Sequence, residues 1–262
     1  MNEGQRRIAL LLEYDGTAFA GSQWQPNART VQAVLEDALS EFTGERSDTG
    51  NRIAFAGRTD SGVHASGQVA ALSTNTQHSP ATCRDALNHF LREDVAVLAA
   101  VEIAATFDPR RDAVARRYRY RIEDGRERSP ITRRIAWQVE RPLDASAMAE
   151  AMALLPRTAR DWAAFGGPVA DGYSTVRILL DASVERHEPG AVTVEMEASG
   201  FLPHQIRRTM GALERVGSGR LDPRGFAALV DGAPASVGPA TPPQGLTLIA
   251  VRYPHGMIDW ER

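Results

Sequence analysis

The order of apolar segments in the first hundred residues limits the folds that this chain can adopt. Alternating or continuous apolar residues predict four strands, at residues 7–14, 53–56, 68–72 and 95–105. Two helices are predicted, at residues 30–42 and 79–91, because Thr30 and Ser79 are N-cap residues and Pro80 suits the first helical position. The order strand, helix, strand, strand, helix, strand is the ferredoxin-like β-α-β-β-α-β arrangement.

The second half of the chain predicts a looser version of the same arrangement. Strands are predicted at residues 113–123, 135–140, 176–185, 192–198 and 247–253, and helices at residues 144–154, 202–216 and 222–230. Residues 192–198 alternate apolar with polar, which is typical of a sheet with one buried face. The turn at Asp108 and Pro109 lies near the boundary, so we expect two domains, residues 1–106 and 107–262, in an α+β protein.

Charge distribution indicates a nucleic-acid ligand although the formal net charge is only −3. All 30 basic residues are arginine, and ten of them lie between Arg110 and Arg134 against four acidic residues. A local positive field of this kind attracts polyanions. Cys83 is the only cysteine, which excludes an internal disulfide and a cysteine-based metal site. Without a long apolar run or an apparent signal sequence, we expect a cytoplasmic protein that does not enter a membrane.

The segment Gly57-Arg58-Thr59-Asp60-Ser61-Gly62-Val63-His64-Ala65 connects two predicted strands. Its glycines permit a sharp turn and the close approach of another molecule. Asp60 in such a turn either caps its own backbone or serves a site. A phosphate-binding loop is excluded, because Val63 and His64 stand where that motif needs Lys and Ser or Thr.

A second segment, residues 116–121, alternates arginine with tyrosine. On a strand, Tyr118 and Tyr120 share one face, and Arg117, Arg119 and Arg121 share the other. The pattern fits an exposed strand with solvated arginines and core tyrosines. It fits equally an aromatic platform beside a basic stripe, which suits RNA.

A third segment, residues 201–211, predicts an amphipathic helix. Its buried face is formed by Leu202, Ile206, Met210 and Leu213. Arg207 lies at the shoulder of that face. There its guanidinium either extends to water or reaches inward to a buried carboxylate such as Asp60.

Together these segments resemble the TruA-type tRNA pseudouridine synthases, and they occur in the order found in that family. The resemblance rests on Tyr14-Asp15-Gly16-Thr17 with Gly21, the 57–65 loop, Phe107 with Arg110, Arg117-Tyr118-Arg119-Tyr120, residues 201–211, and Thr241-Pro242 with Gly245, Leu246 and Val251. It implies the pseudouridine synthase fold, in which two ferredoxin-like halves share a mainly antiparallel sheet with flanking helices. It also implies isomerisation of uridine at positions 38, 39 and 40 of the tRNA anticodon stem-loop, by a homodimer.

The resemblance implies a role for each matching residue. Asp60 is the nucleophile that opens the glycosidic bond, Arg207 keeps Asp60 ionised, and Tyr118 stacks on the base and assists removal of the C5 proton. Arg58 takes the space of the flipped nucleotide, and Leu246 lines the uracil pocket. The remaining expected RNA contacts are His64, Arg110, Arg117, Arg119 and His204, the two histidines being RNA or structural contacts. No metal, redox agent or other cofactor is implied.

The chain departs from the family pattern at three places. Ser22 stands where the family usually has Trp, with Trp24 two residues later, and Arg208 stands where Asn is usual. Pro242-Pro243 replaces a Pro-Ala pair. These departures bear on how RNA is bound.

Three rival hypotheses remain. The basic stripe would also suit an RNA-binding protein without catalysis, the glycine loop would also suit a nucleotide-dependent enzyme, and a synthase could act on another uridine or another RNA.

Overall fold

A computed structural model describes residues 5–44, 52–125, 127–188 and 190–260. The chain forms two compact units, the first made of residues 1–114 and 248–262, and the second of residues 115–247. Each unit combines antiparallel strands with helices, which confirms the predicted α+β class. No helix in the described ranges has the length and apolar character needed to cross a membrane.

The first unit has the predicted order of elements. It contains β1 (Arg6–Tyr14), α1 (Val31–Thr43), β2 (Ala54–Phe55), β3 (His64–Thr74), α2 (Pro80–Phe90) and β4 (Val95–Ile103). Strand β1 pairs antiparallel with both β3 and β4, and β2 pairs with β3. The predicted caps are confirmed, since Thr30 Oγ1 accepts the Ala33 N–H at 3.2 Å and Ser79 Oγ accepts the Thr82 N–H at 3.1 Å. Leu10 of β1, Leu35 of α1 and Leu87 of α2 are fully buried. The apolar face of each helix therefore covers the sheet.

Among its described residues, the second unit contains four antiparallel strands, a short fifth strand parallel to one of them, and three α-helices. Its elements are β5 (Ala115–Asp124), β6 (Trp137–Val139), α3 (Ala145–Ala153), β7 (Ala159–Asp161), β8 (Val176–Glu188), β9 (Ala191–Ala198), α4 (Gln205–Gly217) and α5 (Pro223–Ala228). The strand order is β5-β9-β8-β7, with the short β6 parallel to β5. Strand β10 (Leu246–Arg252) follows, and its residues 248–252 belong to the first unit, where they lie beside β3.

The starts of β3 and α4 differ from the predicted ones for identifiable physical reasons. Strand β3 begins at His64 rather than residue 68, and Gly67 lies inside it. A Cβ at Gly67 would be 2.3 Å from the Ile249 carbonyl oxygen, so that glycine serves close strand packing rather than a turn. Helix α4 begins at Gln205 rather than residue 202, because His204 has a left-handed φ of 58° and the Gln205 side chain accepts the Leu202 N–H at 2.8 Å.

Residues 107–114 pack with the first unit. Phe107 is buried with Ala9 and Ala71, and the Tyr253 hydroxyl donates to the Pro109 carbonyl oxygen at 2.7 Å. The compact units therefore meet in sequence at residues 114 and 115. The division of the repeated architecture at residues 106 and 107 stays a prediction.

Candidate active site

Asp60 lies in the first unit, on the loop between β2 and β3. Its carbonyl oxygen accepts the Val63 N–H at 3.1 Å, which closes a turn, and Gly62 occupies that turn with φ of 78°. Only glycine adopts this backbone conformation without strain. Asp60 is partly exposed, while Thr59 before it and Val63 after it are buried. Asp60 is thus a partly exposed residue on a backbone that is fixed at both ends of the turn.

Thr59, the residue before Asp60, is hydrogen-bonded through both its N–H and its carbonyl oxygen to Ser22. The fully buried Ser22 accepts the Thr59 N–H through its hydroxyl at 2.9 Å, and its own N–H donates to the Thr59 carbonyl oxygen at 3.1 Å. Gly21 has φ of 100°, and a Cβ there would lie 2.8 Å from the same carbonyl oxygen. Ser22 therefore has a structural role, because its small hydroxyl side chain fits where it satisfies a buried amide.

A second set of buried hydrogen bonds anchors the loop to the sheet. The Tyr14 hydroxyl lies 2.8 Å from Thr59 Oγ1, and Gln68 Nε2 donates to the Gly57 carbonyl oxygen at 2.7 Å. Burial raises the pKa of Tyr14 to about 12, outweighing the opposing hydrogen bonds from Thr59 and Gln68. Tyr14 therefore stays protonated at neutral pH and remains a hydrogen-bond partner for the loop.

His64 is buried beneath the same loop, with 6% of its surface exposed. Its Nδ1 accepts the Gly16 N–H at 3.1 Å and lies 3.2 Å from an Asp15 carboxylate oxygen, while its Nε2 has no hydrogen-bond partner among the described residues. A Cβ at Gly16 would be 2.0 Å from the Val63 carbonyl oxygen. Of its two expected roles, this environment supports the structural one.

The other expected site residues of the first unit are exposed arginines. Arg58 is exposed, and within the described part of the chain its side chain makes no ion pair. Arg110 is also exposed, and its backbone N–H donates to Asp108 Oδ1 at 2.9 Å in the turn after Phe107. Arg58 is therefore positioned by a rigid loop without having its charge neutralised there.

Tyr118 lies on β5 of the second unit, 8% exposed and opposite Met196 of β9. Its ring meets Phe201 edge to face, with ring centroids 5.4 Å apart. Tyr120, on the same face, is fully buried, and its hydroxyl donates to the Pro242 carbonyl oxygen at 2.7 Å. Burial raises the pKa of Tyr120 above its usual range. The predicted shared face of the two tyrosines is therefore the buried face of β5.

The arginines on the opposite face of β5 are paired with acids of the neighbouring strand. Glu195 accepts hydrogen bonds from Arg117 Nε and Arg119 Nε, each at 2.8 Å. Burial acts to raise the pKa of Glu195, but the two guanidinium groups outweigh it and hold that pKa below its usual range. Arg117 also lies 3.6 Å from Glu197. The basic stripe is thus largely neutralised within its own sheet.

Arg207 lies on the first turn of α4 and joins it to the segment before β10. Its Nε donates to the Thr241 carbonyl oxygen at 2.7 Å, and the Thr241 N–H and hydroxyl donate back to the Arg207 carbonyl oxygen at 3.2 and 3.0 Å. Leu246, five residues after Thr241, is buried, with 6% of its surface exposed. His204 is exposed and precedes the helix. The neighbouring Arg208 donates to the Ala235 carbonyl oxygen at 3.0 Å instead.

The expected site residues are divided between the units. The first unit carries Arg58, Asp60, His64 and Arg110, and the second carries Arg117, Tyr118, Arg119, His204, Arg207 and Leu246. Within the described residues, no group of three or more His, Cys, Asp or Glu side chains is arranged to hold a metal ion.

Sequence reasoning did not identify the residues that support Asp60, namely Tyr14, Ser22, Thr59 and Gln68. The sequence did contain one indication of such supporting residues, namely polar residues at strand positions that are otherwise apolar. Tyr14 ends the apolar β1, and Gln68 interrupts the buried run of β3. Buried polar groups of this kind require partners, but sequence spacing does not name them.

The structure combines an antiparallel α+β fold with an aspartate fixed on a glycine-bounded loop. Comparison with known proteins identifies the family to which the chain belongs. The family model described as tRNA pseudouridine synthase matches residues 11–110 and 159–254. The matched ranges contain Asp60 and Arg207 but not Tyr118.

Individual relatives extend the similarity over nearly the whole chain. The tRNA pseudouridine synthase A of Roseiflexus castenholzii is 48% identical over 255 residues, covering 95% of this chain and 91% of the relative. The relatives of the same name from Chloroflexus aurantiacus and Geobacter sulfurreducens are 42% and 40% identical, over 97% and 95% of this chain and 91% and 100% of their own lengths. The chain belongs to the tRNA pseudouridine synthase A family, which makes it an isomerase and confirms the resemblance.

Proposed function

We propose that this chain converts uridine to pseudouridine at positions 38, 39 and 40 of the tRNA anticodon stem-loop, with Asp60 as nucleophile and no cofactor. The observation that carries the proposal is the support of Asp60. Asp60 is partly exposed, while Thr59 beside it is fixed by the buried Ser22 and Tyr14. A nucleophile needs such a fixed geometry because small displacements slow reaction steeply.

The chemistry follows from a carboxylate acting on a nucleoside. Asp60 attacks ribose C1′, the bond from C1′ to uracil N1 breaks, and its electrons leave with the base. The uracil turns, C5 attacks C1′, and the carboxylate departs as the C5 proton is lost and N1 gains a proton. Substrate and product are isomers, so the atoms balance without an oxidant or reductant. A covalent step of this kind divides one difficult exchange into two easier ones.

The expected partners of Asp60 have distinct roles in this reaction. Arg207 supplies the positive charge that keeps Asp60 ionised, and its Nε bond to Thr241 limits the positions its guanidinium can take. Tyr118 stacks on the uracil and assists loss of the C5 proton. Arg58, exposed and without an ion pair in the described residues, fills the space that the flipped nucleotide leaves.

The remaining residues concern RNA binding and assembly. We assign RNA contacts to Arg110, Arg117, Arg119 and His204, with His64 supporting the loop from below and Leu246 lining the uracil pocket. Arg110 and His204 are exposed, which suits direct contact. We further propose that the enzyme works as a homodimer in the cytoplasm.

The proposal is tested by mapping pseudouridine in tRNA from cells with and without this gene, and in unmodified tRNA incubated with the purified protein. We expect pseudouridine at positions 38 to 40 only where the protein is present, without added nucleotide or metal. Binding of tRNA without product would favour the non-catalytic RNA-binding hypothesis. Modification at other uridines would overturn the assigned positions, and a requirement for nucleotide would favour the nucleotide-dependent hypothesis.

A further inference from the structure

Trp24 is an exposed aromatic residue in the first unit. Trp24 is 42% exposed, whereas Trp162 is 1% exposed and Trp137 and Trp260 are intermediate. The Arg52 guanidinium carbon lies 4.4 Å from the centroid of the Trp24 ring. One face of the indole therefore carries a stacked cation, and much of the side chain still contacts solvent.

Two buried polar residues of α1, Gln32 and Glu36, hold Trp24 and Arg52 in place. Gln32 Oε1 accepts the backbone N–H of Trp24 at 2.8 Å, and Gln32 Nε2 donates to Glu36 at 2.8 Å. Glu36 also pairs with Arg52 at 3.4 Å and accepts the Ile53 N–H at 3.0 Å. Gln32 and Glu36 are each 6% exposed. Polar groups are costly to bury, so a network that fixes the Trp24 backbone and the Arg52 guanidinium stacked on its ring indicates a surface that must keep its shape.

The Trp24–Arg52 pair lies next to the loop that carries Asp60. Ser22 is hydrogen-bonded to Thr59, and Trp24 is two residues further along the chain. Two residues of extended chain span at most about 7 Å. The indole is therefore placed to meet the RNA close to the target nucleotide rather than at a distant part of the tRNA.

We propose that Trp24 and Arg52 form a stacking platform for the base of an unpaired RNA nucleotide flanking the target uridine. The proposal rests on the proposed function, since it assumes that RNA approaches the Asp60 loop. Aromatic rings and guanidinium planes are the surfaces on which unpaired bases stack, and such stacking tolerates any base because every base has a π-face. The platform is therefore a binding determinant without sequence preference.

The first test compares Trp24→Ala, Trp24→Phe and Phe90→Ala with the wild type. Phe90 is a matched control, because it is 44% exposed in the same unit and makes its ring contact with His89. Affinity for anticodon stem-loop RNA is measured by fluorescence anisotropy, and KM and kcat are measured on tRNA. We expect Trp24→Ala to weaken binding and raise KM by roughly 5- to 100-fold, with a smaller change in kcat. Trp24→Phe keeps an aromatic ring and most of the affinity, and Phe90→Ala matches the wild type.

A second measurement decides the matter even where Trp24→Ala fails to fold. Stacking on a base quenches indole fluorescence, so the RNA should quench wild-type emission more than that of Trp24→Phe. Equal quenching in both proteins, or a folded Trp24→Ala with wild-type affinity, overturns the platform. Failure of the proposed function is distinct, since the wild type itself would then form no pseudouridine.

Discussion

The Ser22 hydroxyl lies 2.9 Å from the backbone nitrogen of Thr59 and accepts its N–H. Thr59 directly precedes Asp60, so the position of the proposed nucleophile depends on a side chain that is distant in sequence. Ser22 is fully buried, and Gly21 beside it leaves no room for a Cβ against the Thr59 carbonyl oxygen. The geometry of the proposed nucleophile is thus supported by a contact from a residue that lies far away in the sequence.

Removal of the Ser22 hydroxyl should affect both stability and rate. For Ser22→Ala we expect the free energy of unfolding to fall by about 1–3 kcal/mol, because the buried Thr59 N–H loses its acceptor. We expect kcat to fall by about 10- to 100-fold with KM little changed, because Asp60 shifts. Urea unfolding and steady-state kinetics measure these effects. Ser66→Ala, at an exposed serine of β3, is the control, and equal kinetics in the two variants would refute the support by Ser22.

Tyr14 should make stability depend on pH in the alkaline range. Its pKa is raised from 10.0 to about 12 in the folded protein. Between these values the unfolded chain has lost the proton that the folded protein retains, so stability falls as pH rises, by about 1.4 kcal/mol per pH unit.

This contribution is measured by urea unfolding between pH 9 and about 11.5. Tyr14→Phe should show a shallower decline than the wild type, by about the amount that one group contributes. Tyr173→Phe, at a tyrosine that is 43% exposed, controls for the loss of a tyrosine hydroxyl as such. An identical slope in Tyr14→Phe and the wild type would show that Tyr14 ionises normally.

Arg207 should not be replaceable by lysine. Arg207→Lys keeps the positive charge but loses the Nε–H that donates to Thr241 and the planar fork of the guanidinium. We expect kcat/KM to fall on the order of 10²-fold, measured as tritium released from uracil C5 of labelled tRNA. Arg208→Lys changes the adjacent arginine, which bonds to Ala235, and should stay near the wild-type value. Similar losses in both variants would argue against a specific role for Arg207.

Glu195 should limit the charge that Arg117 and Arg119 offer to RNA. Because Glu195 accepts from both guanidinium groups, Glu195→Gln should tighten tRNA binding and steepen its salt dependence by about one unit of slope. Glu185→Gln removes an exposed acid on the adjacent β8 and should have a smaller effect. Affinities at several salt concentrations provide the test. An unchanged slope in Glu195→Gln would mean that the stripe stabilises the sheet rather than binding RNA.

Local sequence signals predicted the elements whose determinants are local. The caps at Thr30 and Ser79 set their helices because each side chain bonds to an amide three residues away. Strand β7 was not predicted, since its residues 159–161 are all exposed and show no apolar alternation. The early start of β3 was missed because Gly67 indicates a turn, whereas its role depends on the distant Ile249.

The candidate site also has features that local sequence predicts and features that depend on distant residues. Asp60 could be proposed from the sequence because the glycines that shape its turn lie beside it. Its supports were missed because Ser22 and Tyr14 reach Thr59 across 37 and 45 residues of chain. The neutralisation of Arg117 and Arg119 was missed because Glu195 lies on another strand. Spacing along one strand does not reveal which charges its neighbour supplies.

The central claim, that Asp60 is the nucleophile, is tested most directly by the Asp60→Asn variant incubated with unmodified tRNA, with pseudouridine at positions 38 to 40 as the readout. Asparagine preserves the size of the side chain, so the fold and tRNA affinity should be retained. The account predicts that the variant binds tRNA and forms no detectable pseudouridine. Pseudouridine formation by Asp60→Asn at a rate near that of the wild type would contradict it.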